Sequence, residues 1–254
     1  MTGAERRAAL DAVAAEVAAC KRCRLHEGRT NAVPGEGNAD TEVVFVGEGP
    51  GFHEDRLGRP FVGQAGALLD KLLASVCWKR DEVFIANVVK CRPPDNRDPE
   101  PEEIAACAPY LIRQLEILDP ALVVTLGRFS MARFNPGAKI SQVHGTFRPA
   151  HADSGAPGAV AFFMYHPAAA LRSSQVETQC YADMKGVPDA LTAARTMRAA
   201  GPVEPAETEA PASPDSDIDT APVETAEPAE PAEPAEPAAE EAAQSDPTSQ
   251  LSLF

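Results

Sequence analysis

Three residues able to act on a substrate lie at or just past the ends of apolar segments: Glu48, Asn87 and His166. A carboxylate can orient a water molecule, an amide can pair with a polar ring, and an imidazole can donate to developing negative charge. His166, which precedes a proline, could instead be a structural histidine that only holds its own loop. Their shared position relative to the apolar segments is what first indicates a site.

The apolar segments predict buried β-strands, and helical patterns separate them. The predicted strands span residues 42–48, 82–89, 121–127 and 159–165, and the predicted helices span 4–19, 66–76, 102–118, 128–134 and 179–198. Strands that are apolar throughout and alternate with helices predict a three-layer α/β/α fold around a mainly parallel four-stranded sheet. Ligands bind beyond the carboxyl ends of such strands, so we expect the three polar residues to converge there.

Four of the six cysteines have a spacing that could serve a metal centre. A C-x₂-C pair follows the first predicted helix, a third cysteine follows the second strand, and a fourth lies on the next helix: Cys20, Cys23, Cys91 and Cys107. Four thiolates could hold a zinc ion or a [4Fe–4S] cluster, and spacing alone does not decide between them or exclude four unrelated cysteines. Cys77 and Cys180 stand apart, and we expect both to be ordinary buried residues.

A glycine-rich turn, GEGPG at residues 47–51, follows the first strand. It lacks the Lys-Ser/Thr of a P-loop and the spacing of a dinucleotide fingerprint, so nucleotide binding is disfavoured. The alternatives are a tight turn whose glycines adopt positive φ, or a close approach of a ligand to Glu48.

Phe61, within GRPFVGQAG, could be a core aromatic residue. The segment after His166, HPAAALR, reads as a loop, and loops often carry function.

Composition divides the chain near residue 200. Residues 201–254 hold 14 of the 38 acidic residues and none of the 23 Lys and Arg, which leaves residues 1–200 nearly neutral. The net charge of −15 therefore does not argue against nucleic-acid binding by the first 200 residues. We expect a domain over residues 1–200 and a disordered acidic Pro/Ala/Glu-rich linker over 201–249. Without an apolar leader or a membrane-length apolar run, a soluble cytoplasmic protein is expected.

Three motifs together resemble one family. GEGPGFHED with GRPFVGQAG, then ANVVKCRPPDNRDPEPEEIAAC, then HPAAALR are similar in order to family 4 uracil-DNA glycosylases, the iron–sulfur branch of that superfamily. The resemblance covers roughly residues 20–172. It implies a structural [4Fe–4S] cluster on the four cysteines named above, which would hold the loop between Cys91 and Cys107 near DNA. It also implies a monomer, cytoplasmic and associated with the nucleoid, acting on uracil-containing DNA.

The resemblance assigns roles in binding a uracil flipped out of DNA. Phe61 would stack on the ring, and Asn87 would pair with the edge that distinguishes uracil from cytosine. Glu54 would lie near the corner where thymine carries its methyl group. Backbone amides of the turn at Glu48 and Gly49 would add hydrogen bonds to the base.

The same resemblance assigns the chemistry and the contacts to DNA. His166 would donate to the uracil O2 as negative charge develops, a role typically worth about 3–4 kcal/mol per donor. Glu48 would orient the attacking water and stabilise the cationic sugar. Leu171 would fill the space left by the flipped base, with Arg172 close to the phosphates.

The last five residues resemble a different motif, the QL-S/D-LF peptide by which bacterial repair and replication proteins bind the DNA sliding clamp. They are Gln250, Leu251, Ser252, Leu253 and Phe254. The two final apolar side chains would enter a pocket while the glutamine amide fixes the register. A chance match is the alternative for the peptide, and occupation of the active cleft by the acidic tail is the alternative for the linker.

Two other functions remain open on the sequence. One is a non-catalytic iron–sulfur protein that binds DNA or transfers electrons, which would have no need to keep Glu48, Asn87 and His166 together. The other is a superfamily relative that traps its product covalently. Gly49 and the uninterrupted segment from Cys91 to Cys107 argue against this second reading.

Overall fold

The computed structural model describes residues 1–200, so the predicted linker and clamp peptide lie outside the described residues. The helices of this part are α1 Gly3–Ala19, α2 Leu25–Gly28, α3 Phe52–Leu57, α4 Gln64–Ser75, α5 Pro101–Leu118, α6 Arg128–Phe134, α7 Ile140–Val143, α8 Pro167–Ala170 and α9 Ser174–Ala200. The strands are β1 Glu36–Gly37, β2 Val43–Gly47, β3 Phe84–Asn87, β4 Leu122–Leu126, β5 Phe147–Pro149 and β6 Val160–Met164. Short 3₁₀ turns span Arg80–Glu82, Pro94–Asn96 and Ala152–Ser154.

Within residues 1–200 the strands form one sheet in the order β1-β3-β2-β4-β6-β5. The four central strands are parallel, and Val44 of β2 lies opposite Phe84 on one side and Val123 on the other. This confirms the predicted parallel strands. Two short antiparallel strands, β1 and β5, extend the edges and were not predicted. The chain order reverses between β2 and β4, which is where sheets of this kind bind ligands.

Each central strand is buried on both faces, which explains its continuous apolar sequence. Val44 and Val46 of β2 pack in one core with α1, α5 and α6, whereas Val43 and Phe45 pack in the other with α4 and α9. Side chains alternate between the two faces because successive residues of a strand point in opposite directions. The three-layer α/β/α architecture predicted from the sequence is therefore confirmed.

Local sequence signals fix the helix ends. Helix α1 begins with a capping box in which Thr2 and Glu5 bond each other's backbone amides, at 3.3 and 2.7 Å. Helix α9 begins at residue 174, five residues before the predicted start, because the Ser173 hydroxyl accepts from the Val176 amide at 3.4 Å. Pro188 lies inside α9.

The two cysteines outside the proposed metal set differ in burial. Cys180 on α9 is fully buried, as expected. The expectation that Cys77 is buried is wrong, since this residue is exposed. After α4 ends, the chain turns through a left-handed conformation at Cys77, with φ of 61°, and the side chain points to solvent.

Among residues 1–200 no helix has both the length and the apolar character needed to cross a membrane.

Candidate active site

A pocket of about 390 Å³ lies at the carboxyl ends of the central strands. It brings together seven residues proposed from the sequence: Glu48, Gly49, Glu54, Phe61, Asn87, His166 and Arg172. Glu48 follows β2, Asn87 ends β3 and His166 follows β6, so the parallel sheet alone delivers three of them to one edge. Other lining residues come from the loop between Cys91 and Cys107, namely Pro93, Asn96, Arg97 and Asp98.

Asn87 presents an unused acceptor to this pocket. Its side chain is buried at 1% exposure, and its Oδ1 has no hydrogen-bond partner within residues 1–200. A buried amide oxygen without a partner costs about 1–3 kcal/mol, so such atoms usually meet a ligand or an ordered water. The arrangement suits a ligand that carries an N–H group opposite Asn87.

His166 is fixed as a neutral donor. Its Nδ1 accepts from the Ala168 backbone amide at 3.1 Å, which leaves the proton on Nε2. Burial lowers the pKa of His166 to about 4, and the positive charge of Arg172 acts in the same direction, against a smaller opposing effect of Glu54. The imidazole is therefore uncharged at neutral pH and can donate one hydrogen bond from Nε2.

Phe61 forms one wall of the pocket in a strained conformation. Its ring is 5% exposed and stacks on the His166 ring with centroids 5.6 Å apart. Its φ is 50°, in the left-handed region that side chains rarely adopt. A Cβ on Gly66 would lie 1.9 Å from the Phe61 carbonyl oxygen, so α4 packs against this backbone only because residue 66 is glycine.

Two charged side chains hold the Phe61 segment from opposite sides. The Arg80 guanidinium donates to the Phe61 carbonyl at 3.1 Å and also to the Pro60 carbonyl. The Glu54 carboxylate accepts from the Val62 and Gly63 amides at 2.9 and 2.8 Å. Glu54 therefore positions the Phe61 loop in addition to lining the pocket.

Arg80 is itself anchored by carboxylates. It bonds Glu36 of β1 at 3.0 Å and Asp70 of α4 at 3.2 Å. Glu36 also accepts from Arg59, at 2.7 Å. The short edge strand β1 thus supplies the charge that keeps Arg80 against the Phe61 segment.

The environment of Glu48 disfavours its ionised form. Burial raises the pKa of this carboxyl group, the negative charge of Asp98 raises it further, and Arg128 opposes both. Asp98, which lines the pocket, forms an ion pair with Arg128. Arg97 beside them is held by the buried Glu103 through two hydrogen bonds of 2.9 and 2.7 Å.

The glycines of the GEGPG turn serve close approach rather than unusual backbone angles. None of them has positive φ. The alternative in which these glycines permit positive φ in a tight turn is therefore wrong. A Cβ on Gly47 would lie 2.5 Å from Asn87 Oδ1 and 2.6 Å from Phe61 Cζ. A Cβ on Gly49 would lie 2.7 Å from Val89 Cγ2. A Cβ at position 47 would therefore displace Asn87 or Phe61, and one at position 49 would displace Val89.

A second cavity is lined by all four cysteines proposed as ligands: Cys20, Cys23, Cys91 and Cys107. Arg29 Nη1 donates to Cys91 Sγ at 3.0 Å, and the Lys90 amide donates to Cys107 Sγ at 3.2 Å. N–H donors and cations directed at sulfur suit thiolates, so the donor set fits an iron–sulfur cluster. No three His, Cys, Asp or Glu side chains in residues 1–200 converge on the position of a single metal ion.

Two thiols of this second cavity, those of Cys91 and Cys107, favour the protonated form. Burial raises the pKa of Cys107 to about 11 and raises that of Cys91 as well. Lys90 and Arg29 act in the opposite direction on Cys107 and Cys91 respectively. Binding of iron would therefore release protons from these residues.

The residues proposed to contact DNA lie just after α8. Leu171 is an exposed apolar residue at 49% exposure, and Arg172 is exposed and lines the pocket. One turn of helix, begun by Pro167, separates them from His166. The structure therefore brings an exposed apolar side chain and a cation next to the pocket.

The comparison with known proteins identifies the family. A family model described as the uracil DNA glycosylase superfamily matches residues 34–185. This chain belongs to the uracil-DNA glycosylase superfamily. Type-4 uracil-DNA glycosylases are similar to it over much of their length. That of Archaeoglobus fulgidus is 45% identical over 183 residues, covering 70% of this chain and 91% of the relative.

Two further type-4 relatives agree with this similarity. The type-4 uracil-DNA glycosylase of Saccharolobus solfataricus is 44% identical over 189 residues, covering 72% of this chain and 87% of its own. That of Thermotoga maritima is 53% identical over 132 residues, covering 52% of this chain and 69% of its own.

Sequence reasoning about this superfamily member missed the residues that shape its pocket indirectly. The sequence shows Gly47 only as part of a turn. Glycine is required there because Asn87 and Phe61, which are distant in the chain, lie where a Cβ would be. Arg80 and Glu36 resembled ordinary surface charges. In the sequence, Arg80 is one of several charged residues just before a strand. That position does not indicate that its side chain bonds two backbone carbonyls.

Proposed function

We propose that this protein removes uracil from single- or double-stranded DNA by hydrolysing its N-glycosidic bond, leaving free uracil and an abasic site, as a base-excision repair enzyme. The observation that carries the proposal is the buried Asn87 Oδ1 without a partner, in a pocket that also presents the neutral donor His166. The names of the type-4 relatives point to the same substrate.

The base would be recognised on its edge and its face. Uracil carries an N–H group between two carbonyl groups, so Asn87 can accept from the N–H and donate to a carbonyl oxygen. Cytosine presents an amino group in place of that oxygen and would lose the second bond. Phe61 would stack on the flipped ring, and Glu54 would exclude the methyl group of thymine by its bulk.

Two opposite charges develop as the glycosidic bond breaks, and both would need to be stabilised. As the bond breaks, negative charge grows on the uracil O2, and the Nε2 proton of His166 would stabilise it together with backbone amides at Glu48 and Gly49. Positive charge grows on the sugar, where ionised Glu48 would stabilise it and orient the attacking water. Leu171 would occupy the gap in the duplex, and Arg172 would contact phosphates.

A [4Fe–4S] cluster on Cys20, Cys23, Cys91 and Cys107 is part of the proposal. Bound there, the cluster would supply a structural link between the start of the chain and the loop that carries Arg97 and Asp98 to the pocket. An iron count of about four per chain and broad absorption near 400 nm are expected. Cys107→Ser should lose iron, whereas Cys77→Ser, at an exposed position, should keep it. Zinc in place of iron would refute this assignment.

The domain arrangement and partners extend the proposal. Residues 1–200 would form the glycosylase domain, 201–249 a linker, and Gln250, Leu251, Ser252, Leu253 and Phe254 a peptide that binds the bacterial sliding clamp. Mooring at the clamp would raise the local concentration of the enzyme at DNA within the nucleoid. We further propose a monomer, which light scattering would check.

The clamp proposal has its own test. Leu253→Ala with Phe254→Ala should abolish pull-down by purified clamp, whereas Thr248→Ala with Ser249→Ala should not. Both variants should excise uracil from a short oligonucleotide as the wild type does. Retention of the clamp by the first variant would refute clamp binding. A rise in uracil excision from short oligonucleotides on deleting residues 201–254 would favour occupation of the active cleft by the tail.

Excision itself is tested with uracil-containing oligonucleotides, single-stranded and duplex, scored for abasic sites. The wild type should form abasic sites in both, and His166→Ala should lose about 10²–10³-fold in rate, the usual cost of one such donor. No abasic sites with the wild type would instead support the non-catalytic iron–sulfur reading. Full activity of His166→Ala would refute the role given to this residue.

A further inference from the structure

A large aromatic side chain with two cations stands on the surface beside the pocket. Phe52, the first residue of α3, is 48% exposed. The Arg56 and Arg92 guanidinium carbons lie 5.6 and 5.3 Å from its ring centroid. Arg56 lies one helical turn after Phe52 on the same face of α3. Neither arginine has a carboxylate partner in the part of the chain that the structure describes.

This surface, the Phe52 platform, consists of Phe52, Arg56 and Arg92. It adjoins the pocket through both segments that form it. Gly51, which precedes Phe52, lines the pocket, and so does Pro93, which follows Arg92. Arg92 Nε also donates to Asn96 Oδ1 at 2.8 Å, and Asn96 is a further lining residue. A strand whose one nucleotide enters the pocket would thus pass close to the platform.

The composition of the platform matches single-stranded nucleic acid. Proteins bind single strands by stacking bases on exposed aromatic rings while arginines contact the phosphates. An unpaired base offers a free face to Phe52, whereas a base within a duplex has both faces covered by its neighbours. The two unpaired guanidinium groups provide the charge that a phosphate backbone requires.

We propose that the Phe52 platform is a subsite that stacks an unpaired base next to the flipped nucleotide and thereby favours single-stranded DNA. This inference rests on the proposed uracil excision for its biological setting. The stacking contact itself requires only that single-stranded DNA binds. Loss of one base-stacking contact corresponds to roughly a 5- to 150-fold loss in affinity.

The test uses the full chain and two variants of α3. Phe52→Ala removes the ring, and Leu57→Ala is a matched control, because Leu57 is an exposed apolar residue on the same helix, at 63% exposure. Binding is measured by fluorescence anisotropy on single-stranded DNA without uracil and on the corresponding duplex. Phe52→Ala should weaken single-strand binding at least fivefold and change duplex binding less than twofold. Leu57→Ala should change neither, and Phe52→Trp should keep single-strand binding.

Steady-state kinetics on uracil-containing strands supply a second readout. Phe52→Ala should raise KM for the single strand by a similar factor and leave kcat unchanged, because the platform does not touch the reacting bond. Arg92→Gln should reduce the slope of log affinity against log salt concentration on single strands by about 0.7. Equal losses on single strand and duplex, or no loss on either, overturn the inference.

The outcomes separate this inference from the proposed excision. If the wild type forms no abasic sites but Phe52→Ala still weakens single-strand binding selectively, the excision fails and the platform stands. If excision occurs and Phe52→Ala binds as the wild type does, the platform fails alone.

Discussion

Adding one methyl group at Gly47 should damage the pocket without unfolding the protein. In Gly47→Ala the new Cβ would lie 2.5 Å from Asn87 Oδ1 and 2.6 and 2.7 Å from two carbons of the Phe61 ring. Ordinary contacts begin at 3.4 Å, so these groups must retreat by roughly 0.7–0.9 Å. The backbone cannot relieve the contact, because the Gly47 carbonyl accepts from the Val88 amide at 3.0 Å within the parallel sheet.

The expected loss follows from that displacement. Shifting a positioning group by about 1 Å typically costs on the order of 10²-fold in rate. Asn87, proposed to read the edge of the base, and Phe61, proposed to stack on it, would both move. The value of kcat/KM on a uracil-containing oligonucleotide should therefore fall by about that factor. Inhibition by free uracil should weaken in parallel.

The matched control is Gly28→Ala, where an added Cβ meets nothing within 4 Å. This variant should excise uracil at the rate of the wild type. Thermal unfolding of both variants shows whether any loss of activity reflects unfolding. If Gly47→Ala keeps kcat/KM within twofold of the wild type while folded, the assignment of this pocket as the uracil site is refuted.

Three further predictions follow from the same site. Asn87→Leu should lose uracil excision yet keep or raise the thermal midpoint, since it removes a buried oxygen without a partner worth about 1–3 kcal/mol; a large drop in midpoint would contradict this. Arg80→Met should raise KM about tenfold or more by releasing the Pro60 and Phe61 carbonyls, whereas Arg59→Met should not, because the Arg59 side chain bonds Glu36 but neither of those carbonyls; equal effects of the two would contradict the positioning role. Because the pKa of His166 is lowered from 6.5 to about 4, the unfolded chain takes up a proton in this window before the folded protein does. The free energy of unfolding should therefore fall as pH drops from 6.5 towards 4, measured by urea titration, and a His166→Ala variant with the same pH dependence would contradict the assignment.

The sequence predicted the centre of the sheet better than its edges, for a physical reason. Strands β2 and β4 are buried on both faces, so their sequences are apolar throughout and visible without a structure. Strand β5 is exposed along its length, and β1 has only two residues, one of them the glutamate that anchors Arg80. Such strands exist because a neighbour offers hydrogen bonds, which the local sequence does not encode.

The residues of the site show the same contrast between features that the local sequence encodes and features that depend on distant parts of the chain. Asn87 and His166 could be anticipated together because parallel strands deliver their carboxyl ends to one edge. The contacts that shape the pocket, Gly47 against Phe61 and Arg80 against the Pro60 carbonyl, join residues that are distant in the chain. A burial pattern also could not place Cys77, since its exposure follows from the direction of the turn that ends α4.

The position of Asn87 within the sheet has a consequence for how this protein could evolve. Asn87 lies in β3, paired in register with Gly47, and is enclosed by the core. Phe61 and His166, by contrast, lie on loops outside the strands. The backbone at position 87 is fixed by its pairing in the sheet, so the amide proposed to read the base cannot shift its place. The loops that carry Phe61 and His166 lie outside that pairing and can change their course. New base preferences in descendants of this protein should therefore arise through the loops, with the amide at position 87 retained.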